Sequence, residues 1–170
     1  MRLSFLFPAL LFASLPAIAQ VEFIAEDYFP ADKEFEALRV IASENGFSDP
    51  AQLSSVADGR LIDGVGFRSF AQRIYTVGES GSLSVDIATL IDYRAAYALV
   101  TLLRTTDIQD GPPGDGFAFD DDGILFCHGK RWVRIHGRQI PEDLIRRVAS
   151  SVSNRMGEPA KKVPLLIAHL

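Results

Sequence analysis

Cysteine is almost missing from this chain: Cys127 is the single one among 170 residues. No intramolecular disulfide can form, so stability must come from an apolar core. An excess of positive charge is missing too, with 17 Lys and Arg against 22 Asp and Glu and a net charge of -5. A net acidic chain is a poor binder of phosphate backbones, and no nucleic-acid partner is expected. Two basic groups, Lys130, Arg131, Arg134 and Arg138, then Arg146, Arg147, Arg155, Lys161 and Lys162, read as solvated faces. The sequence also lacks internal repeats, low-complexity runs and any long hydrophobic stretch beyond its N-terminal one. What remains, 48% hydrophobic and 23% charged residues, excludes a disordered or collagen-like chain.

The first twenty residues stand apart. Arg2 provides a short positive start, residues 3–15 an apolar stretch broken by Pro8 and Ser14, and Ala17-Ile18-Ala19 the small residues that a signal peptidase requires. The apolar run is too short for the roughly 20 residues of a membrane span. Residues 1–19 are therefore expected to be a cleaved signal peptide, with cleavage between Ala19 and Gln20. Residues 20–170 should form one exported domain, periplasmic or secreted, without a transmembrane segment. Gln20, not Cys, stands directly after the expected cleavage site, so a lipoprotein anchor is not expected.

Hydrophobic periodicity then orders the domain. Phe35, Leu38 and Ile41 at helical spacing predict a short amphipathic helix over 32–45 with Gly46 as its cap. Residues 47–66, rich in Ser, Asp and Gly, read as a surface connection with room for a helical turn after Pro50. Aromatic and β-branched residues over 67–77, a loop at 78–81 and strict alternation over 82–91 predict a hairpin. Asp92 can cap a helix carrying Ala96, Val100 and Leu103. After Gly111-Pro112-Pro113-Gly114, three short strands are expected at 117–119, 124–128 and 132–136, joined by turns at 120–123 and 129–130. That register sets Phe126 against Val133, Ile124 against Ile135 and Cys127 against Trp132. A last helix opens at Pro141, buries Leu144, Val148 and Val152, and stops at Gly157. The fold class expected is α+β, an antiparallel sheet of about five strands with two or three helices packed against it.

Candidate chemistry is sparse. Cys127 and His128 are neighbours on a strand, so their side chains point to opposite faces and do not form a thiolate and its base. His136 and His169 are further bases, but nothing around Cys127 matches a nucleophile signature, and a small buried hydrophobe is the better reading. Asp115, Asp120, Asp121 and Asp122 with Gly123 offer hard oxygen ligands for calcium, yet their spacing is not that of an EF-hand. An acidic solvated turn is preferred, with calcium at an irregular site as the alternative. His128, His136 and His169 lack the paired spacing of a zinc site. The glycines around Val65 and at 111–114 lack phosphate-loop endings, and Ser80 lacks the glycine spacing of a hydrolase elbow. No catalytic, cofactor-binding or metal residue is assigned, and no cofactor is expected.

The run Arg73-Ile-Tyr-Thr-Val-Gly78, Asp92-Tyr-Arg-Ala-Ala-Tyr97 leading to Leu102-Leu-Arg104, Gly114-Asp115, and Phe126-Cys-His-Gly129 followed by Trp132-Val-Arg-Ile135 resembles an uncharacterised family of exported bacterial proteins, a domain of unknown function. The resemblance covers residues 29–170 and implies no catalytic residue. Members of that family often continue past the region matched here, which leaves room for a truncated or minimal version. The order of elements is also similar to the small α/β sandwiches of the photosystem-accessory and nuclear-import-factor type, which implies a binding module. The expectation is a non-catalytic binding or assembly module of the bacterial cell envelope, with a protein or small-molecule partner and a face bearing Trp132, Arg134 and His136. The alternative is an exported hydrolase assembled from Cys127, His136 and the acidic loop.

Overall fold

A computed structural model describes residues 26–35 and 38–157. The predicted signal peptide, His169, Lys161, Lys162 and the two C-terminal prolines lie outside the described residues.

Six strands form one antiparallel sheet: β1 (Leu38–Phe47), β2 (Phe67–Val77), β3 (Gly81–Leu90), β4 (Gly116–Phe119), β5 (Gly123–His128) and β6 (Arg131–Arg138). Their order is β1-β2-β3-β6-β5-β4, two three-stranded meanders joined along β3 and β6. Helices α1 (Gly59–Gly64), α2 (Tyr93–Leu103) and α3 (Glu142–Arg155) complete the fold. The class is α+β as expected, with six strands rather than about five.

The extra strand corrects the helix expected over 32–45. Leu38 and Val40 pair with Val77 and Tyr75, but a register shift separates Val40 from Ala42. Residues three apart on a strand face opposite sides, so Leu38 points inward and Ile41 outward where a helix would set them on one face. That spacing imitates a helix in the sequence, although Leu38 is buried and Ile41 is 59% exposed. Gly46 caps nothing. It lies near a second irregularity, where an added Cβ would approach the Phe70 carbonyl oxygen at 3.1 Å.

The remaining elements follow their local chemistry. Asp92 caps α2, its carboxylate accepting from Ala95 N at 2.9 Å, and Pro141 precedes α3, where a missing N–H costs nothing. Pro50 opens a 3-10 turn, Pro50–Ser55, and Asp49 accepts from Ala51 N ahead of it. The β5–β6 hairpin has the expected register: Phe126 faces Val133, Ile124 faces Ile135 and Cys127 faces Trp132. Gly129 in its two-residue turn has φ 57, a left-handed conformation that costs glycine little.

Both sheet faces are covered, but unequally. On one face Leu144, Val148 and Val152 of α3 pack with Phe126, Val133 and Ile135, and the same cluster extends to Phe29, Leu38, Tyr75 and Leu83. On the other face Leu99 and Val100 of α2, with Leu53 and Ile62, pack around Trp132, Cys127, Leu125 and Phe70. At about 25 cal/mol per Å² these two apolar layers are the main source of stability.

Candidate polar site on the central strands

Strands β3 and β6 form the middle of the sheet, where apolar side chains are the default. On the α2 face this pattern breaks beyond Trp132. Register places Ala88 opposite Trp132, Asp86 opposite Arg134 and Ser84 opposite His136. Side chains two apart share a face, so Trp132, Arg134 and His136 lie in a row, with Asp86 and Ser84 beside them.

The Asp86 side chain is only 4% exposed. Burying a carboxylate is costly unless donors surround it, and three do. Gln72 Nε2 at 2.8 Å and Ser84 Oγ at 2.7 Å donate to Oδ1. His136 Nε2 lies 3.0 Å from Oδ2. The His136 side chain is 25% exposed, so the imidazole is the open edge of the cluster. Beside it, Arg134 is held between two carboxylates, Asp58 at 3.0 Å and Asp120 at 2.7 Å. Asp58 precedes α1 with φ 60 and makes no side-chain cap bond to that helix. Its carboxylate is spent instead on the guanidinium, which ties α1 and the β4–β5 turn to the centre of the sheet.

This geometry can orient an imidazole, but it does not activate a hydroxyl. Nucleophilic serine chemistry needs the histidine bonded to the hydroxyl and the carboxylate behind the histidine. Here the carboxylate is central, and Ser84 donates to Asp86 rather than to His136. No local motif marks the cluster as a unit in the sequence, but a signal for it is there. Gln72, Ser84 and Asp86 are polar residues on a face where the same two strands also carry the buried Phe70 and Ala88.

The sequence-derived candidates fall elsewhere. Cys127 is buried, its Sγ 3.8 Å from the Gly116 carbonyl oxygen. Burial, with the nearby Asp115 charge, pushes its thiol up to about 12, so the reactive thiolate is strongly disfavoured. It faces Trp132, four residues along β6 from His136, a separation of about 13 Å at the rise of a strand. His128 is buried, and Trp132 is 1% exposed, so the expected face keeps only Arg134 and His136. The Trp132 indole N–H has no hydrogen-bond partner among the described residues.

The acidic loop is divided. Asp115 accepts from Gly129 N at 2.7 Å and fastens the β5–β6 turn. Asp120 Oδ1 accepts from Asp122 N and Gly123 N, the local turn chemistry typical of aspartate, while Oδ2 meets Arg134. Among the described residues, no three His, Cys, Asp or Glu side chains converge closely enough to hold a metal ion. Of the basic groups, Arg146 pairs with Glu142, Arg147 with Asp143 and Arg155 with Glu34. Among the described residues, no helix is long and apolar enough to cross a membrane.

No family model, curated protein or solved structure matches the chain.

Proposed function

We propose that the protein is exported, loses residues 1–19, and acts as a non-catalytic binding or assembly module of the bacterial cell envelope, taking a protein or small-molecule partner. The observation that carries this reading is that the groups a hydrolase would recruit are committed internally. Cys127 is buried, His136 is bonded to Asp86, and Asp115 and Asp120 hold backbone amides. The exported location is supported by the pattern of Arg2, the apolar residues 3–15 and Ala17-Ile18-Ala19.

The partly exposed His136 and Arg134 are the contacts such a module would offer, because Asp86, Asp58 and Asp120 fix them before any ligand arrives. A site that is organised in advance loses less freedom on binding. The test is a thermal-shift screen of the chain from Gln20 to Leu170 against divalent metal ions and envelope-derived small molecules, with and without chelator, paired with an assay for ester and peptide hydrolysis. A ligand that binds the folded state at 100 times its dissociation constant adds about 2.7 kcal/mol. The expected result is stabilisation without turnover, reduced by His136→Ala. Hydrolysis abolished by His136→Ala would overturn the reading, as would stabilisation only by calcium, which would return the site to the acidic loop.

A further inference from the structure

Residues 26–35 cover the α3 face of the first meander, starting with the 3-10 turn Glu26–Tyr28. Phe29 inserts at 4% exposure into the cluster of Leu38, Ala71, Tyr75 and Leu83. The way this segment is attached differs from the rest of the fold. Strands are joined by backbone ladders, whereas among the described residues the bonds from 26–35 to the other elements mostly use a side chain on at least one side. Tyr75 Oη donates to the Pro30 carbonyl oxygen at 2.9 Å, and Arg155 Nη1 donates to the Asp27 carbonyl oxygen at 3.2 Å. Glu34 accepts from Ser151 and Arg155 at 2.5 Å each, and Asp32 accepts from Val40 N at 3.2 Å. The bond from Leu38 N to the Phe35 carbonyl oxygen is the backbone exception among the described residues.

Three aromatic rings of the segment each sit under a guanidinium: Arg131 over Tyr28 at 4.9 Å, Arg73 over Phe29 at 4.8 Å and Arg147 over Phe35 at 5.9 Å. Such contacts contribute about 0.5–1 kcal/mol where exposed. Lys33 adds a left-handed φ of 68 for a residue with a Cβ, a conformation that opening would relieve. A segment held by side chains, with few backbone bonds, belongs to the low-stability end of local unfolding.

We propose that residues 26–35 form a detachable strap that opens as a unit while the six-stranded sheet stays folded, uncovering the apolar floor of Leu38, Ala71, Tyr75 and Leu83. Its latch is Arg155 with Glu34 and Ser151, and its anchor is Phe29. Opening breaks no strand pair, since β1 keeps its own ladder to β2. It also leaves the α2 face untouched, with Trp132 and Cys127 still enclosed.

Cys127 makes the test internally controlled, because its labelling requires the α2 face to unfold. Leu38→Cys places a second thiol beneath the strap. Labelling with a thiol reagent under native conditions should modify position 38 at least tenfold faster than Cys127 in the same chain. Adding Arg155→Gln should raise the rate at 38 several-fold and leave the rate at Cys127 unchanged. Equal rates at the two thiols, or a parallel rise at both on Arg155→Gln, would overturn the proposal by showing that the segment unfolds only with the whole molecule. A loss of stability caused by Leu38→Cys itself is visible as faster Cys127 labelling relative to the parent chain.

Discussion

At the scale of single residues, buried ionisable groups set the pH limits of the fold. Cys127 has its thiol pushed up to about 12 from an ordinary 9.0 by burial. Tyr75 has its phenol pushed up to about 12 from 10.0 by burial, against the opposing pull of Arg73. A group whose folded pKa is raised contributes stability that is complete below its unfolded value and is lost as pH climbs toward the folded one. Stability should therefore begin to fall above pH 9, with Tyr75 adding to the decline above pH 10. Urea midpoints measured from pH 7 to 11 will show this, and Cys127→Ala should remove the part of the loss between 9 and 10.

Asp86 is the second residue-scale case. Asp86→Ala leaves Gln72, Ser84 and His136 without their common acceptor, which should cost about 2 kcal/mol in urea unfolding. His136→Ala should cost less, because its side chain is already partly in water.

Among elements, the strap carries an acid sensitivity of its own. Burial raises the pKa of Glu34, but the bonds from Ser151, Ala31 N and Arg155 together outweigh it and hold the carboxyl below its ordinary 4.5. A lowered folded pKa gives stability that is present above the unfolded value and lost as pH falls through the folded one. Between pH 5 and 3 the parent chain should therefore lose stability that Glu34→Gln does not, in chemical denaturation followed by circular dichroism.

Elements also show where sequence reading succeeds. The hairpin of β5 and β6 was legible to the residue pair because Gly129 marks the turn and the alternation of Ile124, Phe126, Val133 and Ile135 is unbroken. The helix α2 was legible from Asp92 and the spacing of Ala96 and Val100. β1 was not, because Phe35, Leu38 and Ile41 recur at helical spacing although Leu38 is buried and Ile41 faces solvent. The polar cluster was hidden for another reason: Gln72, Ser84, Asp86 and Arg134 look like the wet side of strands, and only the strand order reveals that they meet at the centre. Asp58 and Asp120 reach Arg134 from 76 and 14 residues away in sequence, distances at which no local pattern operates.

At the scale of the whole molecule, the two sheet edges are finished differently. The β4 edge is sealed by the chain that precedes it: Thr105 N donates to the Phe119 carbonyl oxygen, Gln109 N to the Phe117 carbonyl oxygen, and Phe117 N returns to Gln109. Thr106 Oγ1 accepts from Phe119 N. The β1 edge is blunted instead by its bulges and by Phe35 and Asp32, which take the amides of Leu38 and Val40. Both are recognised ways of preventing strand addition between molecules.

The pairing of Cys127 with Trp132 has an optical consequence. The lone indole of the chain is enclosed, and directly across the strand pair stands its lone thiol, with Cβ atoms about 5 Å apart in such pairs. Emission of the folded protein should thus be blue-shifted by enclosure and dimmed by the sulfur, with Cys127→Ala brightening the native state alone. Without any attached dye, intensity and wavelength become separate gauges: the first reads the β5–β6 contact, the second the entry of water.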